Sequence, residues 1–206
     1  MKLIKQFNAT SFLLWCILLF YLTTNVNASP LTSCLDGLKG QTIYENDKSF
    51  PSLILDENLY VNFTPSVLVY AINNKDVQTA VNCAVNLKMG IIARSGGHSY
   101  EKYGLGGRNN VIVVDVTNIN DIIIDSGSQT AKIGAGNRLG VIYDKLSQAG
   151  FLIPAGTCPS VGIGGHSLGG VKYHYNLFIY LFIFSNIYIF DTHFNILLIG
   201  IRILQS

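Results

Sequence analysis

The chain has 206 residues, a length that fits one large domain or two small ones. Hydrophobic residues make up 49% of it and charged residues only 13%, with a formal net charge of +2. This composition excludes an acidic disordered segment and a basic nucleic-acid-binding protein. The small net charge also gives no reason to expect attraction to a membrane surface.

The sequence divides into three unlike parts. Residues 1–28 and 171–206 are strongly apolar, whereas residues 29–170 hold 10 basic residues, 11 acidic residues and 19 of the 20 glycines. Because the ordinary glycine share is about 7%, the middle part is unusually rich in positions that suit tight turns or close backbone approach. The residues that carry function are therefore expected within residues 29–170.

The first 28 residues are typical of a secretory signal peptide. Two lysines precede an apolar run from Phe12 to Leu22, and the small or medium residues at positions 26 and 28 predict cleavage after Ala28. An uncleaved anchor helix is the alternative, but a membrane span needs about 20 apolar residues, and this run is shorter. Secretion implies an oxidising compartment, in which Asn62 begins a glycosylation sequence.

The first half of the middle part predicts a strand, a helix and a second strand. The β-rich run over residues 66–72 predicts the first strand, and either Asn73 or Asn74 caps the helix that follows. Gly90 stops that helix, and residues 91–94 form the next strand. The helix side chains predicted to face the core are Val77, Val81, Ala84 and Val85.

The second half predicts further strands and one more helix. Three apolar runs predict strands, the first of them buried on both faces: residues 111–116, 122–124 and 130–133. Asn137 caps the second helix, Gly150 ends it, and residues 151–170 are predicted to form a glycine-rich loop. The inward-facing side chains of this helix are Leu139, Ile142, Tyr143 and Leu146. The pattern predicts the α+β class with mixed strands.

Three glycine-dense segments contain the residues that could bind a ligand or take part in a reaction. Residues 94–100, Arg-Ser-Gly-Gly-His-Ser-Tyr, follow a predicted strand and suit a nest of backbone N–H groups around an anion, although a tight turn with an exposed histidine is the alternative. Residues 134–136, Gly-Ala-Gly, precede a helix and predict a second anion site. Six of residues 156–170 are glycine, too many for a packed helix or strand, so something must lie against that backbone.

Short motifs from other families do not account for these segments. Neither the phosphate-binding P-loop nor the dinucleotide-binding glycine pattern is present. Residues 165–169 match the G-x-S-x-G nucleophile elbow of α/β-hydrolases, with Ser167 as the nucleophile. That motif needs an apolar strand before the serine, whereas Cys-Pro-Ser-Val-Gly-Ile-Gly precedes it here, and only Asp191 and His193 follow as the acid and the histidine.

Taken together, these segments resemble the berberine-bridge-enzyme-like family of secreted FAD-linked oxidoreductases, which have the vanillyl-alcohol-oxidase-type, or PCMH-type, flavin-binding fold. The resemblance spans residues 34–170 and implies an incomplete PCMH-type FAD-binding domain within residues 29–170. The matching stretches are ARSGGHSYEKYG at 93–104, VIVVDVTNIN at 111–120, KIGAGNRLGVIYDKL at 132–146 and LIPAGTCPSVGIGGHSLGG at 152–170.

The resemblance implies bicovalent FAD. In that family the histidine of the RSGGH motif bonds the flavin 8α-methyl group and the cysteine of the GTCP motif bonds flavin C6, which correspond here to His98 and Cys158. It also implies a disulfide between Cys34 and Cys83; for Cys158, the alternative is a buried thiol that acts as a small hydrophobe. The candidate cofactor-binding residues are Arg94, Ser95, Gly96, Gly97, His98, Ser99, Gly156, Thr157, Cys158, Val161, Gly162, Gly164, Gly165, His166, Gly169 and Gly170.

The activity that the resemblance implies is hydride transfer from an alcohol, sugar or amine substrate to FAD, with dioxygen as the electron acceptor. No nucleic acid, no metal and, after signal cleavage, no membrane is expected as a partner. His166 is expected to be structural or adjacent to the flavin, and Ile163 is expected to restrict oxygen access. No catalytic base can be assigned, so a non-catalytic flavin-binding fragment is the alternative, besides the hydrolase with Ser167.

The tail, residues 171–206, changes composition abruptly. Phe, Ile, Tyr, Asn and Lys supply 21 of its 36 residues, and all five can be encoded by A and T alone. Since Val171-Lys172 can be encoded by the bases that begin an intron, we interpret the tail as a translated intron; a mature transcript that continues in frame through it would contradict this. A membrane anchor is the alternative, but polar residues interrupt the apolar run.

Overall fold

The computed structural model describes residues 29–55, 58, 63–169, 198–202 and 204–205. The signal peptide, Asn62, Gly170 and most of the tail lie outside the described residues, so the predictions made for them stay predictions. Among the described residues, no helix has the length and apolar character that a membrane span requires.

The chain divides into two units, residues 1–34 and residues 35–206. The described part of the first unit is helix α1 (Pro30–Cys34). Ser29 starts this helix, since its Oγ accepts a hydrogen bond from Thr32 N at 3.2 Å. The disulfide that the resemblance implies is confirmed, because Cys34 and Cys83 are both disulfide-bonded.

The second unit contains a four-stranded sheet in the order β1-β2-β4-β3. Strands β2, β4 and β3 run parallel to one another, and β1 is antiparallel to β2. The register pairs Asp115 with both Tyr70 and Arg94, so the carboxyl ends of the three parallel strands lie at one edge. The strands are β1 (Gln41–Tyr44), β2 (Val67–Tyr70), β3 (Gly90–Arg94) and β4 (Val111–Asp115).

The predicted strand along residues 111–116 is confirmed as β4, every residue of which is buried. Two helices accompany this sheet, the short α2 (Phe50–Leu53) and the crossover helix α3 (Asn74–Leu87) between β2 and β3. A 3-10 turn at Tyr103–Leu105 precedes β4. The hydrophobic core on this sheet consists of Ile43, Phe50, Leu68, Leu105, Val111 and Val113.

Helix α3 confirms the predicted cap and corrects the predicted end and face. Asn73 is the cap, and its side chain accepts a hydrogen bond from Asp76 N at 3.0 Å. The helix ends at Leu87, Lys88 caps it in the left-handed conformation with φ +54°, and Gly90 instead begins β3. The buried positions are Asp76, Ala80, Cys83 and Ala84, whereas Val85 is 70% exposed.

The rest of the second unit contains a three-stranded antiparallel sheet in the order β5-β6-β8 and a short antiparallel pair, β7 and β9. These strands are β5 (Ile122–Asp125), β6 (Thr130–Gly134), β7 (Phe151–Leu152), β8 (Leu198–Arg202) and β9 (Leu204–Gln205). Helix α4 (Leu139–Gln148) buries Leu139, Ile142 and Leu146 as predicted. Gly150, with φ +77, follows its end.

Three local predictions in this region are wrong. Arg138, not Asn137, precedes α4, because the buried Asn137 side chain donates to Gly134 O at 3.0 Å instead of capping the helix. The predicted loop over residues 151–170 contains β7 and helix α5 (Ile163–Leu168). Ile163 belongs to the hydrophobic core with α4 and is 2% exposed, so its side chain lies among core residues instead of gating oxygen.

Candidate cofactor site

Two glycine-rich segments meet backbone to backbone. One is the histidine turn (residues 94–99), at the carboxyl end of β3, and the other begins at Gly162, just before α5. A Cβ atom on Gly96 would lie 2.3 Å from Gly162 N, and one on Gly162 would lie 2.2 Å from Gly96 N. Because such distances are far below van der Waals contact, both positions require glycine. What lies against the glycine-rich backbone is therefore, at this point, a second glycine-rich backbone.

The third glycine segment is also part of this contact. Ser95 Oγ donates to Ala135 O at 2.6 Å, and a Cβ on Gly164 would lie 3.0 Å from the same carbonyl oxygen. The anion site predicted at residues 134–136 is wrong: all three residues are buried, and a Cβ on Gly136 would lie 2.0 Å from Val116 O. These glycines allow the protein to pack against itself.

The histidine turn presents backbone donors that the protein leaves unused. Throughout the described part of the chain, no protein acceptor receives the N–H groups of Gly96, Gly97, His98 and Ser99. All four residues are half-buried, and Gly97 has φ +71, a conformation that favours glycine. A run of N–H groups beyond the carboxyl ends of parallel strands suits an anionic ligand, so this turn fits the pyrophosphate of a dinucleotide.

Arg94 brings a positive charge next to this turn. Its Nη1 donates to Leu53 O at 3.2 Å and lies 3.7 Å from Asp115 Oδ2. A Cβ on Gly97 would lie 3.1 Å from Arg94 Nη2, so the guanidinium packs directly against the turn. Burial, and then the negative charge of Asp115, raises the pKa of neighbouring Tyr70.

The cysteine loop (residues 156–162) is exposed at its centre and anchored by α4. Cys158 is exposed, is not in a disulfide, and has its Sγ 3.3 Å from Ser160 Oγ. The first residues of α4 hold the loop, since Gly140 N donates to Pro159 O and Leu139 N donates to Val161 O, both at 3.0 Å. The Cys158 sulfur therefore lies on an exposed turn, and hydrogen bonds from α4 hold the residues that follow it.

Gly156 is held from two sides by side chains. Its N–H donates to His166 Nε2 at 3.2 Å, and the Tyr143 hydroxyl donates to its carbonyl oxygen. Burial lowers the pKa of His166 and raises the pKa of Tyr143, so both side chains are predominantly neutral at pH 7. In accepting this bond, His166 supports the cysteine loop, and whether it also lies beside a flavin stays a prediction.

Three of the remaining candidate cofactor-binding residues lie at the surface. Thr157, Gly165 and Gly169 are exposed, and a Cβ on Gly165 would meet nothing within 4 Å.

Ser167, the nucleophile of the alternative hydrolase, is the fifth residue of α5. A nucleophile elbow instead places its serine at a turn between a strand and a helix, so the structure does not favour that alternative.

Sequence reasoning missed one residue of this region, Arg138. Its Nη1 donates to Gly96 O at 3.3 Å and also to Ser160 O, and so it reaches both the histidine turn and the cysteine loop. The sequence offers Asn137 as the cap of this helix, and only the structure shows that Arg138 stands immediately before it, where Ser, Thr, Asn or Asp is usual. An arginine there has no capping role, which points to another use of its side chain.

Known proteins match this chain over a range that contains both the histidine turn and the cysteine loop. Residues 65–178, more than half of the chain, match the FAD binding domain family. Berberine bridge enzyme-like 2 of Arabidopsis thaliana is 38% identical over 110 residues, which are 52% of this chain and 20% of that protein. The chain spans between 19% and 31% of the length of the curated relatives it matches.

Two solved structures resemble the described fold. BBE-like 1 of Physcomitrella patens has a TM-score of 0.65 and 42% identity, over 67% of this chain and 30% of that one. Glucooligosaccharide oxidase of Acremonium strictum, described with a 6-S-cysteinyl, 8α-N1-histidyl FAD, has a TM-score of 0.63 and 29% identity, over 68% and 30% of the two chains. With an α+β fold that corresponds to part of these structures, the chain belongs to the FAD-binding family of berberine-bridge-enzyme-like FAD-linked oxidoreductases.

Proposed function

We propose that this chain is the flavin-holding part of a secreted oxidoreductase that takes a hydride from an alcohol, sugar or amine. The observation that carries the proposal is the histidine turn, where four consecutive N–H donors, from Gly96 to Ser99, lack a protein acceptor in the described residues. The turn contacts the segment that follows Cys158, so the two proposed attachment loops are neighbours. An oligosaccharide is one substrate class, since relatives of this chain include carbohydrate oxidases.

In this proposal each segment holds a different part of the cofactor. The N–H groups of the histidine turn would bind the pyrophosphate, while the exposed positions Gly165 and Gly169 would lie along the ring system. His98 bonds the 8α-methyl group and Cys158 bonds C6. Each bond replaces one hydrogen on the residue and one on the flavin carbon, and dioxygen takes up the two protons and two electrons as hydrogen peroxide. Bound FAD supplies a two-electron acceptor for substrate oxidation.

The described residues are assigned to cofactor binding and not to substrate turnover. We assign none of the described side chains as the base that removes the substrate proton. His166 is committed to the Gly156 amide, and Tyr143 to the Gly156 carbonyl. A flavin-binding fragment without turnover is therefore the form of the proposal that applies to this chain by itself.

The test is expression of the full chain in a secreting host, followed by acid precipitation. We expect a yellow pellet, and flavin-modified peptides that contain His98 and Cys158 when the digest is analysed by mass spectrometry. His98→Ala and Cys158→Ala should each keep the other bond, and Ser147→Ala, a control at an exposed serine of α4, should keep both. A folded protein that takes up no FAD would overturn the proposal, and a colourless pellet from a protein that binds FAD would overturn covalent attachment.

A further inference from the structure

We propose that Arg138 is a positioning residue that sets the spacing between the histidine turn and the cysteine loop. Its effect would be to present Cys158 to a flavin that is already attached at His98. This inference rests on the proposed function, because it concerns how efficiently the second bond forms. It adds a role for a residue that lies outside the three glycine segments and outside the proposed attachment sites.

The hydrogen bonds of Arg138 carry this inference. Its Nη1 donates to Gly96 O at 3.3 Å and to Ser160 O. Gly96 is two residues before His98, and Ser160 is two residues after Cys158. Since one guanidinium NH₂ group has two protons, a single nitrogen can bond both carbonyls. The same rigid group therefore links points next to both attachment residues.

Other interactions hold each loop separately. On the side of the histidine turn, Ser95 donates to Ala135 O at 2.6 Å. On the side of the cysteine loop, Gly140 N donates to Pro159 O at 3.0 Å. Removal of the Arg138 guanidinium leaves these bonds in place, so each loop keeps its own support. What changes is the distance between the loops, which then depends on the packing of Gly162 and Gly164 against the backbone of Gly96 and Ala135 and the side chain of Ser95.

The distance between the two loops affects the flavin bond at Cys158 more than the flavin bond at His98. The first bond, at His98, forms from FAD that binds to the histidine turn. The second requires the Cys158 sulfur to meet C6 of a ring that is already tethered, and a displacement of about 1 Å can slow such a step by up to about a hundredfold. Arg138 is exposed, so its replacement does not create a buried cavity.

The experiment compares Arg138→Met, which keeps the apolar stem and removes the donors, with wild type and Arg138→Lys. Lys145→Met, on the exposed side of α4, is the matched control for loss of one positive charge. The full chain is expressed with FAD, and mass spectrometry of its peptides gives the ratio of doubly to singly attached flavin over time. We expect R138M to lower this ratio about tenfold at early times, with attachment at His98 unchanged, R138K to recover part of it, and K145M to match wild type.

The outcomes separate this inference from the proposed function. A wild-type protein with no covalent flavin would overturn both the proposed function and the inference about Arg138. Normal double attachment in wild type and in R138M would overturn the inference alone. If R138M loses FAD uptake and both bonds to the same extent, Arg138 binds the cofactor and does not set the spacing, which also overturns the inference. If R138M does not fold, as judged by urea unfolding, Arg138→Ala is measured in the same way, with the same criteria.

Discussion

Gly162 and Gly165 lie three residues apart and have different surroundings. A Cβ at position 162 would lie 2.2 Å from the Gly96 backbone, so Gly162→Ala should lower the free energy of unfolding by about 2–3 kcal/mol. A Cβ at position 165 meets open space, so Gly165→Ala in α5 should keep or slightly raise stability. Urea unfolding of the two variants measures both effects.

The same pair tests the cofactor proposal. We assign the space in front of Gly165 to FAD, so Gly165→Ala should take up less FAD while it remains folded. Equal stability of the two alanine variants would contradict the backbone contact, and full FAD uptake by Gly165→Ala would remove that residue from the binding surface. FAD titration with absorbance detection gives the second readout.

His166 should make the stability of the chain depend on pH. Burial lowers its pKa in the folded state below the ordinary value of about 6.5, so the unfolded chain binds more protons between the two values. The contribution of neutral His166 is therefore fully present above pH 6.5 and is lost as the pH falls through the folded pKa. Urea midpoints from pH 7.5 to pH 5 should decline less in His166→Asn than in wild type. Parallel curves for the two proteins would contradict this.

At the scale of single residues, the sequence predicts which positions need a special residue type better than it predicts which residues they contact. The close approach at Gly162 follows from glycine density, but its partner, Gly96, is distant in the chain. Nothing local pairs them, because the contact depends on how the carboxyl end of β3 meets the start of α5. Arg138 was missed for the same reason: its partners are two backbone carbonyls, which carry no sequence signal.

Asp76 connects α3 to the segment before β1. The buried carboxylate accepts hydrogen bonds from Lys39 N at 2.9 Å, Gly40 N at 3.0 Å and Ile72 N at 3.1 Å. In Asp76→Asn an NH₂ group would face some of these donors, and the loss of charge would weaken the others. We expect the free energy of unfolding to fall by about 3 kcal/mol, measured in urea.

Asp47 provides the matched control for this prediction. Its exposed carboxylate also accepts backbone and hydroxyl hydrogen bonds, from Ser49 N at 2.8 Å and Ser49 Oγ at 2.6 Å. Because water can replace these bonds, Asp47→Asn should unfold at nearly the wild-type urea concentration. If the two asparagine variants lose stability equally, the buried network at Asp76 is not what joins these elements.

Among the elements, long apolar runs were predictable and short or glycine-rich ones were not. The apolar run of β4 was correctly predicted to be buried throughout. The face of α3 was misjudged because small residues pack on the sheet, with Ala80 and Ala84 buried and the larger Val85 left exposed. Helix α5 has two glycines among its six residues, and its burial of Ile163 and Gly164, not helix propensity, explains why it forms.

For the molecule as a whole, we predict that the secreted chain begins at Ser29. The positively charged start, apolar run and small residues at the proposed cleavage site are the features that signal peptidase requires. Mass spectrometry of the protein recovered from the medium should find an N-terminal peptide that starts with Ser29-Pro30. Ala28→Arg should block processing, and a secreted wild-type chain that retains residues 1–28 would contradict the prediction.

The proposed site draws on both hydrophobic cores of the second unit. The four-stranded sheet supplies the histidine turn at the end of β3, and helix α4, which packs in the other core, anchors the cysteine loop. The motifs and their resemblance to a flavoprotein family predicted which segments take part. Their arrangement follows from contacts of the Ser95 side chain with the Ala135 carbonyl and with Gly164, which no local pattern encodes.

The Gly96–Gly162 contact has a consequence for how this sequence can change. At most packed pairs, enlargement of one side chain can be offset by reduction of its neighbour. Here neither partner has a side chain to reduce, because each would-be Cβ meets main-chain atoms of the other. A comprehensive mutational scan should therefore find both sites intolerant of every substitution, and no second-site suppressor of either should map to the other.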